Sequence, residues 1–188
     1  MTTTTHSPTH APLTPAQGLI RYDLKRDLVA SIASGQVAGL IMAVAMVAVF
    51  ALFLGTPWYH PVQVIGSTVF GDAALPGHFY LPSFLAGLVL HQAGATLIWS
   101  IAFALLLHRL EHSTLNVLAV GLVVGALSQV VDVTFVVPAI MNKLHGHNIW
   151  AENVPNSWSW IAHIVFGLGF LTYLPIWRRL LATRTPVL

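Results

Sequence analysis

Four long apolar runs, at residues 28–54, 81–107, 115–140 and 158–177, leave this chain few ways to fold. A helix needs roughly 20 apolar residues to cross the hydrocarbon core of a bilayer, and each run supplies them. Inside hydrocarbon the backbone must satisfy its own hydrogen bonds, which a helix does within one segment. The pattern therefore predicts an all-α membrane protein with four transmembrane helices. Between the first two runs, residues 60–75 (HPVQVIGSTVFGDAAL) are apolar but too short to span and are broken by glycine and proline. They predict a short interfacial or re-entrant segment.

Composition excludes the soluble alternative. Only 7% of residues are charged and 56% are hydrophobic, with a mean hydropathy of +0.76, whereas a soluble domain carries about a quarter charged residues. The high isoelectric point comes from a net charge of only +2, and the basic residues flank apolar runs instead of forming a patch. Nucleic acid is not an expected partner; the lipid bilayer is. With no cysteine, disulfides, thiolate metal sites and iron–sulfur clusters are ruled out.

Seven of the eight Lys and Arg residues fall on one side of this arrangement: Arg21, Lys25, Arg26, Arg109, Arg178, Arg179 and Arg184, against Lys143 alone. Short basic loops stay in the cytoplasm, so both termini are expected there, in a bacterial inner membrane. The outer face then comprises residues 55–82 and 142–157. Residues 1–27 form a polar tail and basic segment, 28–177 the membrane domain and 178–188 a second cytoplasmic tail. The Thr- and Pro-rich start has no basic n-region, so the first run is expected to be a retained helix. Trp58, Tyr59, Phe79, Tyr80, Trp150, Trp158 and Trp160 predict an outer aromatic belt, and Tyr173 and Trp177 an inner one.

The helix faces carry the functional candidates. Gly35 and Gly39, and likewise Gly121 and Gly125, are four apart, a spacing that lets helix backbones approach closely in lipid. Ser128, Gln129 and Asp132 extend the second of these stripes. His91 shares a face with Gly87 and Gly94 on the second helix, and His163 with Ser159 and Gly167 on the fourth. With about 1.5 Å of rise per residue, His91, Asp132 and His163 reach similar depths in the outer half. Intramembrane ionisable groups are costly and face the bundle interior or a cavity. His91 and His163 are therefore expected to face each other, with Asp132 shielded from lipid by a His, Gln or backbone partner.

Ten histidines are many for this length, and His60, His78, His145 and His147 join His91 and His163 on the expected outer side. Imidazole is a common ligand for zinc, copper and iron. A metal site built from His91, His163 and Asp132, or from the loop histidines, is one expectation, and a b-type haem between His91 and His163 is a sharper one. A proton relay through His91, Asp132, His163 and Gln129 is the alternative. His108 and His112 flank Arg109 and Glu111 and are explained by a basic helix terminus. No nucleophile elbow, phosphate loop, HExxH or dinucleotide fingerprint is present, so no catalytic activity of its own is expected.

HQAGATLIWSIAF with His91 and Ser100, GLVVGALSQ with Gln129, then Pro138, Pro155, AHIVFG with His163 and the closing Arg178 and Arg179 occur in an order that resembles the YagU-type small bacterial inner-membrane proteins. The resemblance covers roughly the C-terminal half. It implies the same membrane architecture and an association with acid tolerance, while the His-rich loop at 55–82 has no counterpart in it. The function expected is that of a non-enzymatic subunit or accessory protein of a larger membrane assembly, such as a respiratory complex, with other membrane subunits as partners. Proton or cation transport, or a purely structural role, are the alternatives.

Overall fold

The computed structural model describes residues 23–182. Among these there are helices and no strand, and four helices are long and apolar enough to cross a membrane. The spanning helices are α1 (Leu24–Phe53), α3 (Leu81–Leu107), α4 (Thr114–His145) and α6 (Asn156–Ala182). Two short helices lie between them, α2 (His60–Phe70) and α5 (Ile149–Asn153). Most of the polar tail expected at 1–27, and residues 183–188, lie outside the described residues.

Local chemistry sets the ends. Asp23 caps α1 by accepting from the backbone N–H of Lys25 at 3.1 Å and of Arg26 at 3.4 Å, which satisfies amides that have no partner within a helix. The cap starts α1 at residue 24, four residues before the expected span, and places Asp27 inside the helix. Ser113 caps α4 through the Asn116 amide. At the other end of α4, Gly146 takes the left-handed conformation (φ 83°), which glycine adopts without steric cost. Pro138 explains an irregularity in α4: it has no N–H and its ring crowds the carbonyl one turn back, and residues Gln129–Val136 just before it widen into a π-helical segment. Pro175 acts similarly on α6, where Phe170–Thr172 tighten into a 3₁₀ turn.

The four long helices close a ring in which α1 packs on α3 and α6, and α4 packs on both of those. Small residues let them approach. A Cβ added to Gly35 would strike Ser100, one on Gly39 would strike Gln92 and Thr96, and Gly121 and Gly125 lie against the backbone of Gly167 and His163. The apolar core at the contact between helices is aromatic, with Phe103 and Phe170 stacked at 4.2 Å between centroids and 9° between planes. Outward positions such as Val44, Leu52, Ile98 and Leu115 are apolar and more than 60% exposed, an arrangement that lipid stabilises and water does not.

The segment expected as interfacial or re-entrant is helix α2, seated antiparallel against the first turns of α3. Val62 meets Gly87 and Gly66 meets Ser83 through backbone contacts that a side chain at either glycine would block. Gln63 fastens the loop that follows: its amide donates to the Ala74 carbonyl at 2.7 Å while its carbonyl oxygen accepts from the Tyr80 amide at 3.1 Å.

Candidate functional site

A cavity of about 300 Å³ lies in the half of the bundle away from the basic helix ends, enclosed by α1, α2, α3, α4 and α6. His91, Asp132 and His163 all line it. Each comes from a different helix. Both π-helical segments border the space: Leu90–Ala95 carries His91 and Gln129–Val136 carries Asp132. Such segments turn side chains out of the regular α register and are frequent at functional sites.

The hydrogen bonds decide what each side chain offers. His91 Nε2 lies 3.0 Å from the Gly39 carbonyl oxygen, and His163 Nδ1 lies 2.8 Å from the Ser159 carbonyl oxygen. A carbonyl can only accept, so these two nitrogens carry the protons and donate. In the neutral imidazoles, His91 Nδ1 and His163 Nε2 are then bare acceptors, and neither has a hydrogen-bond partner among the described residues. Asp132 Oδ2 accepts from the Trp99 indole N–H at 2.7 Å, which leaves Oδ1 as a third acceptor. The partner expected for Asp132 was a His, a Gln or backbone. It is a tryptophan about five turns into α3, whose indole N–H reaches across to α4.

Gln129 does not face the cavity with these three. It is buried, accepts from the Ser159 hydroxyl at 2.7 Å and donates to Asn156 Oδ1 at 3.2 Å, so it ties α4 to α6. The remaining wall is apolar, with Met42, Met46, Ile65, Val133 and Ile140 prominent. Neither Lys nor Arg lines the cavity. The Trp150 indole N–H, on a residue that also lines it, is buried with no acceptor among the described residues.

The loop histidines are elsewhere. His145 donates from Nε2 to the Thr68 carbonyl at 3.1 Å, whereas His147 bridges Glu152 at 2.8 Å and Asp72 at 3.1 Å. The two rings therefore serve different hydrogen-bond partners. The carboxylates of Glu152 and, next, Asp72 hold the His147 imidazole above its usual pKa. His60 is half-buried beneath Phe50, with ring centroids 6.0 Å apart. Burial lowers its pKa and a hydrogen bond to Asn153 partly offsets this. His78 is exposed and contributes its carbonyl oxygen to Gln63. Among the described residues, no group of three or more His, Cys, Asp or Glu side chains is placed to hold a metal ion.

The sequence reading missed a second polar cluster at the basic end. Asp27, 1% exposed, accepts from His108 Nδ1 at 2.8 Å, Tyr173 Oη at 3.0 Å and Trp177 Nε1 at 3.0 Å, with His112 Nε2 at 3.7 Å. His108 and His112 are thus more than a basic helix terminus. Tyr173 is fully buried and no part of an interfacial belt. One signal was available in the sequence: with Asp23 as the cap, Asp27 falls on the helix face of Ser31 and Ser34, at a period close to 3.6.

No protein-family model matches the chain, and no curated protein or solved structure shows significant similarity to it.

Proposed function

We propose that this chain is a non-catalytic bacterial inner-membrane protein, with both termini cytoplasmic, whose outer-half cavity holds a cation or a hydrogen-bond-donating ligand. The observation that carries the reading is the set of acceptors at the cavity: His91 Nδ1, His163 Nε2 and Asp132 Oδ1, with no basic side chain to neutralise the carboxylate. An unpaired intramembrane carboxylate marks a functional site by default. Five basic residues of the described chain, Lys25, Arg26, Arg109, Arg178 and Arg179, lie at the opposite end of the bundle, which supports the orientation.

A metal ion is one such cation, since imidazole nitrogen and carboxylate oxygen are donors for zinc, copper and iron. It would need further donors from water or a partner subunit, because the described residues hold no cluster of three. Haem suits the site less well, because His91 Nε2 is committed to the Gly39 carbonyl. Native purification with elemental analysis, a visible spectrum and mass spectrometry tests the reading and also detects partner subunits. A bound ligand lost in Asp132→Asn supports it. No ligand in the native protein, and none taken up when metals and organic cations are supplied, would end it.

Proton handling is a second reading, favoured by a row of polar groups through the bundle between the two clusters. Buried Ser31 and Ser34 follow Asp27 on α1, Ser34 meets Thr172 at 2.8 Å, and Gln36 donates to the Gln92 carbonyl and to Thr96 Oγ1 at 3.0 Å. The row reaches Gly39, which accepts from His91. The association of the YagU-type group with acid tolerance is in keeping with it. Proteoliposomes loaded with a pH-sensitive dye should show proton flux that Asp27→Asn and Asp132→Asn both slow; flux equal to that of empty liposomes excludes it.

A further inference from the structure

We infer that the cavity takes an apolar molecule carrying a protonated amine, which enters from the bilayer between α3 and α4. The inference rests on the reading of the cavity as a ligand site and adds the chemistry of the ligand and its route.

The route follows from residues that belong to two surfaces at once. Ile98 on α3 and Val136 and Ile140 on α4 line the cavity, yet they are 64%, 41% and 37% exposed on the outside of the bundle. They form an apolar mouth on the face that the apolar surface assigns to lipid. A molecule dissolved in the bilayer meets this mouth without crossing a polar barrier, whereas an ion from water would have to pass an apolar rim. The volume, about 300 Å³, is at the lower end for small organic ligands and far beyond the needs of a bare ion.

The head group follows from the tautomers. With Gly39 and Ser159 holding one N–H of each imidazole, the nitrogens left to a ligand are lone pairs, and Asp132 Oδ1 adds a charged acceptor. A carbonyl head group would leave these three acceptors without a donor and could be served only by the Trp150 N–H. An ammonium supplies an N–H donor for these acceptors and the positive charge that the cavity lacks, and the indole of Trp150, which lines the cavity, is a ring of the kind that attracts cations. Burying the ammonium against Asp132 pairs two charges, each of which would be costly alone.

The test uses protein in phosphatidylcholine nanodiscs, a neutral lipid chosen so that amines do not accumulate on the bilayer by charge. The probes are a protonated dimethylamino phenylalkane, its trimethylammonium analogue and a hydroquinone, followed by quenching of tryptophan fluorescence. The tertiary amine should bind saturably. The trimethylammonium analogue, which keeps the charge but has no N–H, should bind at least about tenfold more weakly, as loss of a charged hydrogen bond implies. Asp132→Asn should weaken amine binding by at least about tenfold. Gly94→Leu should abolish it: a Cβ there meets nothing within 4 Å, so the side chain can fill the cavity without disturbing the helices. Amine binding that is unchanged in Asp132→Asn overturns the inference. Hydroquinone binding without amine binding, lost in Gly94→Leu, overturns it while leaving the cavity as a ligand site. No saturable binding of any probe removes both.

Discussion

The phenol of Tyr173 donates to the carboxylate of Asp27 at 3.0 Å across 146 residues of sequence. That bond, with those from His108 and Trp177, joins the start of α1 to the end of α3 and the last turns of α6. Asp27→Asn keeps the size but places an amide N–H among donors. It should lower stability by about 1–3 kcal/mol, the cost of leaving buried polar groups unsatisfied. Tyr173→Phe should cost less, and the double variant less than the sum, because the two residues share one bond. Thermal unfolding in detergent measures all three; additive losses would show that the residues act independently.

The glycines of the spanning helices should respond according to what faces them. Gly121→Ala and Gly167→Ala put a methyl group into the backbone of the opposite helix, and overpacking of this kind costs about 1–3 kcal/mol. Gly94→Ala meets open space and should leave stability unchanged or slightly higher, since alanine favours a helix. Equal effects at the three positions, in the same unfolding assay, would contradict the close α4–α6 contact.

The His147 bridge should loosen as pH rises. Its two carboxylate partners raise the imidazole pKa in the folded protein above the value of about 6.5 expected in an unfolded chain. The protonated form is therefore favoured by folding: the contribution is fully present below about pH 6.5 and is lost as pH climbs through the raised value. Amide protection in residues 145–153, taken relative to the base-catalysed intrinsic exchange rate, should fall over that interval in the wild type. In His147→Ala protection should be low and insensitive to pH over the same interval.

Topology is tested by reporter fusions. With seven of eight basic residues on one side in the four-span arrangement, a fusion at Leu188 and one near Asn153 should report opposite sides of the membrane. Matching signals would reject the orientation, whatever the fold.

The sequence by itself determined the number of spanning helices, because hydrocarbon accepts only long apolar segments whose backbone bonds are internal. Rise per residue also put His91, Asp132 and His163 at one depth, and the small residues beside them pointed to the bundle interior. It could not say which nitrogen of each imidazole is bare, since that depends on the Gly39 and Ser159 carbonyls. Nor could it find Trp99 for Asp132, a partner chosen by the distance between two helices. Asp27 shows the same division most plainly. In the sequence it is one acid in a basic segment, but the cap at Asp23 turns it inward, and only the folded bundle brings Tyr173, Trp177 and His108 from the far ends of two other helices to meet it. Periodicity along one chain encodes which face of a helix is buried; the contacts on that face are set by the neighbours that bury it.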